Sequence, residues 1–173
     1  MKRLIPLILL CCFAGSLIGQ DTSKVKEKIN VLTFLTEIAS WTIESEQPGP
    51  EFVVVEEGGY TCEEKKAFFR YAFFPGGRDS TEEGIKYVIA SKAFKMIDSF
   101  TVTKAGLGSL FFLVTEHQVQ DSMGKSTAMV HMMTSRQMTD QVYALISGYY
   151  DMAFDKDLRD KFIRYAFSIR KEE

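Results

Sequence analysis

Asparagine occurs once in these 173 residues, histidine twice, cysteine three times and proline four times. Each scarcity excludes something. The single Asn30 is followed by Val31 and Leu32, so the chain carries no Asn-x-Ser/Thr acceptor. Cys11 and Cys12 lie in the first twenty residues and leave Cys62 alone beyond them, and a lone thiol makes no intramolecular disulfide. A disulfide-stapled miniature domain is thereby ruled out, and an apolar core has to hold the fold. Cys62 sits in "YTCEEKK", where two neighbouring acids disfavour a thiolate, so it reads as a structural thiol. No Gly-x-Ser-x-Gly, His-Glu-x-x-His, Cys-x-x-Cys or calcium-loop spacing occurs. Basic excess is missing too: the formal charge is −2, and nucleic acid would want a basic stripe, so no DNA or RNA partner is expected.

What is present begins with an address. Lys2 and Arg3 give a positive start, Leu4 to Ile18 an apolar stretch, and Gly15, Ser16 and Gly19 small residues for a signal peptidase. The apolar run is shorter than the ~20 residues of a membrane-spanning helix, and no other stretch approaches that length. The expectation is a signal peptide over residues 1–19 and an exported product without a transmembrane segment, in the bacterial periplasm or outside the cell. Lipidation would require a small residue before the modified cysteine, whereas Leu10 precedes Cys11 and Cys11 precedes Cys12. Cleavage near Gly19 is the preferred reading.

Beyond the leader, about 150 residues suit one domain. Apolar positions Val25, Ile29, Leu32, Leu35 and Ile38 recur at helical spacing and predict an N-terminal helical extension within residues 20–40. Residues 41–173 then read as a single domain. Trp41 to Glu44 and Phe52 to Val55 predict strands on either side of the "QPGP" turn, and "KAFFRYAFF" (residues 66–74) predicts a strand apolar on both faces. Such a strand expects cover on both sides of its sheet. "STEE" at Ser80 to Glu83 fits a capping box, and the stripe Ile85, Val88, Ile89, Ala93, Met96 and Ile97 predicts a helix running to about Asp98. Strands are predicted over 100–104, 109–120, 126–135 and 139–149. A closing helix from about Asp155 carries Leu158, Phe162, Tyr165, Ala166 and Ile169 on one face. The expected class is α+β, an antiparallel sheet flanked by helices as an α/β/α sandwich.

The run from Trp41 to the C-terminus, with "DSTEEGIKYVI", "TKAGLGSLFFLVTE", "GKSTAMVHMM", "DQVYALISGYYD" and "FIRYAFSIR" in this order, resembles the Mog1/PsbP-like family. That resemblance implies an α/β/α sandwich and a bias toward binding or assembly roles. It carries no shared catalytic residues to transfer. The N-terminal helix looks like an addition to the family pattern.

Candidate chemistry concentrates in "EHQVQDSMGKSTAMVH", residues 116–131, which holds both histidines. Gly124-Lys125-Ser126 resembles the end of a phosphate-binding loop, but that motif needs glycine where Val119 stands and a helix where a strand is predicted. His117 and His131 with Glu116 or Asp121 are the candidate metal ligands, since two imidazoles and a carboxylate hold zinc or iron. Register decides whether they meet. A turn centred on Met123 sets His131 opposite Thr115 and puts both imidazoles on one face; a turn centred one half-step later sends them to opposite faces. Met129, Met132, Met133 and Met138 could form a soft thioether cluster, although alternation separates Met132 from Met133. No catalytic residue, metal or cofactor is assigned. Three functions follow as expectations: a non-enzymatic binding or assembly accessory protein with another envelope protein as partner, a carrier of a small apolar ligand, or a metal-dependent hydrolase built on the two histidines.

Overall fold

The computed structural model describes residues 31–56, 58–77, 84, 95–120 and 123–172. Helix α1 spans Val31–Ala39 and is followed by β1 (Ile43–Glu44), β2 (Val53–Glu56), β3 (Gly59–Cys62) and β4 (Ala67–Pro75). Strands β5 (Lys95–Lys104), β6 (Gly108–Gln120), β7 (Ser126–Thr139) and β8 (Val142–Asp151) come next. A single 3-10 turn, Met152–Phe154, leads into α2 (Asp155–Ser168), and β9 (Arg170–Lys171) closes the chain. Seven strands form one sheet in the order β2-β3-β4-β8-β7-β6-β5, and every pairing is antiparallel. Two meanders, β2 to β4 and β5 to β8, are thus joined where β8 docks along β4. β1 and β9 pair separately as a short ribbon, with Ile43 opposite Lys171 and Glu44 opposite Arg170.

Strand alternation decides which side is core. On β8, Val142, Ala144, Ile146, Gly148 and Tyr150 are buried while the residues between them are only partly so. The registers carry that face to Phe69 on β4, Val130 and Met132 on β7, and Phe112 and Val114 on β6. Across this face lies α2, whose Leu158, Phe162, Tyr165 and Ala166 are fully buried. The contact is close because Gly148 has no side chain. A Cβ there would stand 2.5 Å from Phe162 Cδ2 and 3.0 Å from Phe69 Cδ1. Phe69 is the hub of an aromatic cluster, with ring centres 5.0 Å from Phe52, 5.2 Å from Phe162 and 5.9 Å from Tyr165. Two polar side chains in this core find partners. Tyr150 donates to Met132 Sδ at 3.1 Å, and Arg136 reaches the last turn of α2 to donate to the carbonyls of Phe167 (3.0 Å) and Ile169 (2.7 Å). Those carbonyls lie where a helix runs out of internal donors. Cys62 is buried in the same core.

α1 packs through Phe34 against Trp41 and Val142, with Phe73 and Met138 beside them. Phe73 and Val142 belong to the same sheet face as Phe69, so both described helices lie on one side. The fold is therefore a sheet-dominated α+β structure, and the expected three-layer sandwich is corrected to that extent. The helix expected to open at Ser80 and cover the other face lies outside the described residues except at its ends. Gly84 is helical and exposed, whereas residues 95–98, read as the last helical turn, belong to β5. Pairing out to Lys95 opposite Glu116, with a bulge between Met96 and Asp98, takes those residues into the sheet and leaves Met96 and Ile97 exposed. Two further differences concern strands. β3 carries no apolar run and forms because Gly58, at φ 71°, turns the chain back under Tyr71, where a Cβ would collide with the ring at 2.1 Å. β7 and β8 continue to a two-residue turn at Asp140 and Gln141, so β7 does not stop at Ser135.

Candidate functional site

The hairpin adopts the register centred on Met123. Gln120 faces Ser126, Thr115 faces His131 and His117 faces Met129. Gly124 supplies the positive φ of the turn, 78°, and Met123 at the tip is 87% exposed. Both histidines consequently share the sheet face opposite α2. Their ring centres are 5.3 Å apart, edge to face. β8 adds Tyr149 directly opposite His131, and the two rings stack at 4.0 Å with their planes 5° apart. Thr115 Oγ1 donates to the His131 carbonyl at 3.4 Å and is hydrogen-bonded to His117 Nε2 at 3.1 Å, the tautomer of His117 deciding which of the two donates.

Burial sets the electrostatics of this pair. His131 is only 5% exposed, and neither ring nitrogen has a hydrogen-bond partner among the described residues. Desolvation, with smaller contributions from the charges of His117 and Arg70, pushes its pKa down from 6.5 to about 3. Burial lowers His117 as well. Both imidazoles are thus neutral at pH 7. Glu116, the candidate third ligand, points to the other face. It takes a hydrogen bond from Lys95 at 2.9 Å and another from Gln118 at 3.0 Å, and these hold its carboxyl below the ordinary value. Asp121 lies outside the described residues. Among the described residues no three His, Cys, Asp or Glu side chains come together. The structure therefore brings His117 and His131 together but not Glu116, and what assembles is an aromatic and imidazole stack. Tyr149 and Arg70 were not legible as its neighbours, because β4–β8 and β7–β8 pairing is non-local.

The methionines divide as alternation requires. Met132 is buried toward α2, and Met133 is buried on the opposite face. The phenylalanines that suggest an apolar-ligand carrier pack on one another: Phe100 on Phe112 at 5.3 Å, and Phe112 on Phe162 at 6.2 Å.

A second feature stands at the margin of the sheet. β2 is an edge strand, paired only with β3, and among the described residues nothing pairs with its outer side. Val53, Val54 and Val55 are 57%, 65% and 53% exposed. An unpaired edge offers a row of free N–H and C=O groups, and natural edges are usually blunted by charge, proline or a covering segment. Here three consecutive β-branched apolar side chains stand on the edge, with a bulge between Val54 and Glu56 limiting its flat length. Among the described residues, no helix is long and apolar enough to cross a membrane.

No family model matches the sequence. No curated protein matches it either. Among solved structures, the fold is similar to a crystal structure of LpqN, involved in cell envelope biogenesis of Mycobacterium tuberculosis, at 10% identity and a TM-score of 0.49. That likeness covers 78% of this chain and 85% of the other.

Proposed function

We propose that this chain is an exported, non-enzymatic binding or assembly accessory protein that presents the edge strand β2 to another protein of the bacterial envelope. The observation that carries this reading is the exposure of Val53, Val54 and Val55 on an edge with no described neighbour. A partner strand laid against β2 gains main-chain hydrogen bonds for affinity and alternate valine contacts for specificity, the mode by which sheet edges capture extended segments. Strand addition also explains why the edge is short and bulged: long flat apolar edges invite indiscriminate pairing. The positive, apolar and small-residue order from Lys2 to Gly19 supports export.

The test places a photoreactive amino acid at Val54, with Asp140 as an exposed control, and identifies crosslinked proteins from intact cell envelopes by mass spectrometry. A discrete adduct from position 54, absent from position 140 and lost when Val53→Lys is added, is the expected result. Equal or absent crosslinking at the two positions contradicts the reading.

A further inference from the structure

A cleft of ≈ 150 Å³ opens between the β5–β6 turn and the end of α2. Lys104 and Leu107 come from the turn, Arg164, Phe167 and Ser168 from α2, Arg170 from β9, and Glu46 from the segment after β1. The turn is built by Gly106 and Gly108 at φ 76° and 82°, closed by Leu107 N–H donating to Lys104 O at 3.1 Å. It holds Leu107, 40% exposed, at the mouth. Phe167 is 3% exposed and lies beneath the Lys104 ammonium, which sits 4.7 Å from the ring centre. The opposite wall is fixed by Ser168, whose hydroxyl accepts from Glu46 N–H at 2.8 Å and donates to Tyr165 O at 2.7 Å.

The charges converging here are mostly unspent. Among the described residues neither Lys104 nor Arg164 forms an ion pair, and only Arg170 has one, with Glu44. Glu46 is the one acid on the wall, against three cations. Behind them the half-buried Arg136 guanidinium adds positive potential, and burial together with Arg170 lowers its pKa. The chain as a whole carries −2, so this concentration of positive charge is a local property and not the overspill of a basic protein. Self-repulsion among such cations is relieved by an anion, and guanidinium and ammonium donors match phosphate oxygens.

Size selects the ligand further. The cleft is small beside the about 300 Å³ or more that drug-sized ligands need. The space accommodates a phosphate group, while Leu107 offers an apolar contact to whatever the phosphate is attached to. We infer that this cleft binds a phosphomonoester, its dianion held among Lys104, Arg164 and Arg170 and its apolar substituent lying over Leu107.

The test titrates the full chain with inorganic phosphate, with butyl phosphate, and with vesicles of phosphatidylcholine containing or lacking phosphatidic acid. Binding is followed by amide shifts of Leu107 and Ser168 and by cosedimentation. Butyl phosphate is expected to bind saturably and more tightly than inorganic phosphate. A further preference for phosphatidic acid vesicles would identify a lipid as the source of the headgroup; no preference would identify a soluble phosphomonoester. Lys104→Gln with Arg164→Gln should weaken butyl phosphate at least about tenfold, as loss of charge-assisted hydrogen bonds requires, with Lys156→Gln unchanged. Glu46→Gln should tighten it, which a fold defect could not mimic. Absence of a saturable shift with any probe overturns the inference, as does affinity that is indifferent to both the double substitution and Glu46→Gln.

Discussion

His131 should make this protein lose stability as the pH falls, and its replacement by phenylalanine should remove that loss. In the folded chain its imidazole stays neutral down to about pH 3, whereas the unfolded reference takes up a proton near 6.5. Between those values the unfolded state binds the extra proton, so stability is full above about pH 6.5 and declines toward pH 3. At about 1.36 kcal/mol for each pH unit, lowering the pH from 7.5 to 4.5 costs about 2–3 kcal/mol through this residue. Among the described residues the groups facing it are His117 on β6, Arg70 on β4 and Tyr149 on β8, and none of these supplies a negative charge at these pH values. His117, also lowered by burial, acts in the same direction. His131→Phe keeps a ring to stack on Tyr149 and removes two nitrogens that have no partner among the described residues, so it should equal or exceed the parent in stability at pH 7.5. Leaving a buried donor or acceptor unpaired costs about 1–3 kcal/mol. Urea unfolding of both proteins at pH 7.5 and 4.5 measures the difference directly. Carboxylates elsewhere titrate alike in the two and cancel. If the parent and His131→Phe lose equal stability on acidification, the imidazole is not buried and neutral as described.

Two other expectations come from the core and the cap of α2. Gly148→Ala should destabilise by about 1–3 kcal/mol, because its Cβ meets Phe162 and Phe69 at overpacked distances; thermal unfolding unchanged to within a degree would deny that contact. Arg136→Leu should cost about 2–4 kcal/mol, since the carbonyls of Phe167 and Ile169 lose their charged donor, and amide exchange should accelerate first in the last turn of α2.

Periodicity made most of the elements legible in the sequence. The alternation on β8 and the stripe Leu158, Phe162, Tyr165 and Ala166 both describe real faces, and they face each other. Met96 and Ile97 fit a helical stripe equally well, and only the length of β6 available for pairing draws them into β5. β3 was invisible because "GYTC" lacks an apolar run and exists through pairing on both sides, with β2 and β4. The histidine pair came down to two registers, of which the turn at Met123 selects one. Its partners Tyr149 and Arg70 arrive from strands that local pattern cannot align. The exposure of β2 was hidden for a related reason: three valines in a row look the same at the edge of a sheet as at its centre, and only strand order tells them apart.

The central claim, that β2 is an edge kept open for a partner strand, is tested most directly by amide hydrogen exchange across Val53–Glu56, free and in complex with the protein that crosslinks to position 54. Strand addition predicts that the β2 amides pointing away from β3 exchange rapidly in the free chain and slow by at least about tenfold in the complex, with β5, the opposite edge, unchanged. Exchange of those outward amides that is already slow in the free chain, or unaltered by the partner, would contradict it.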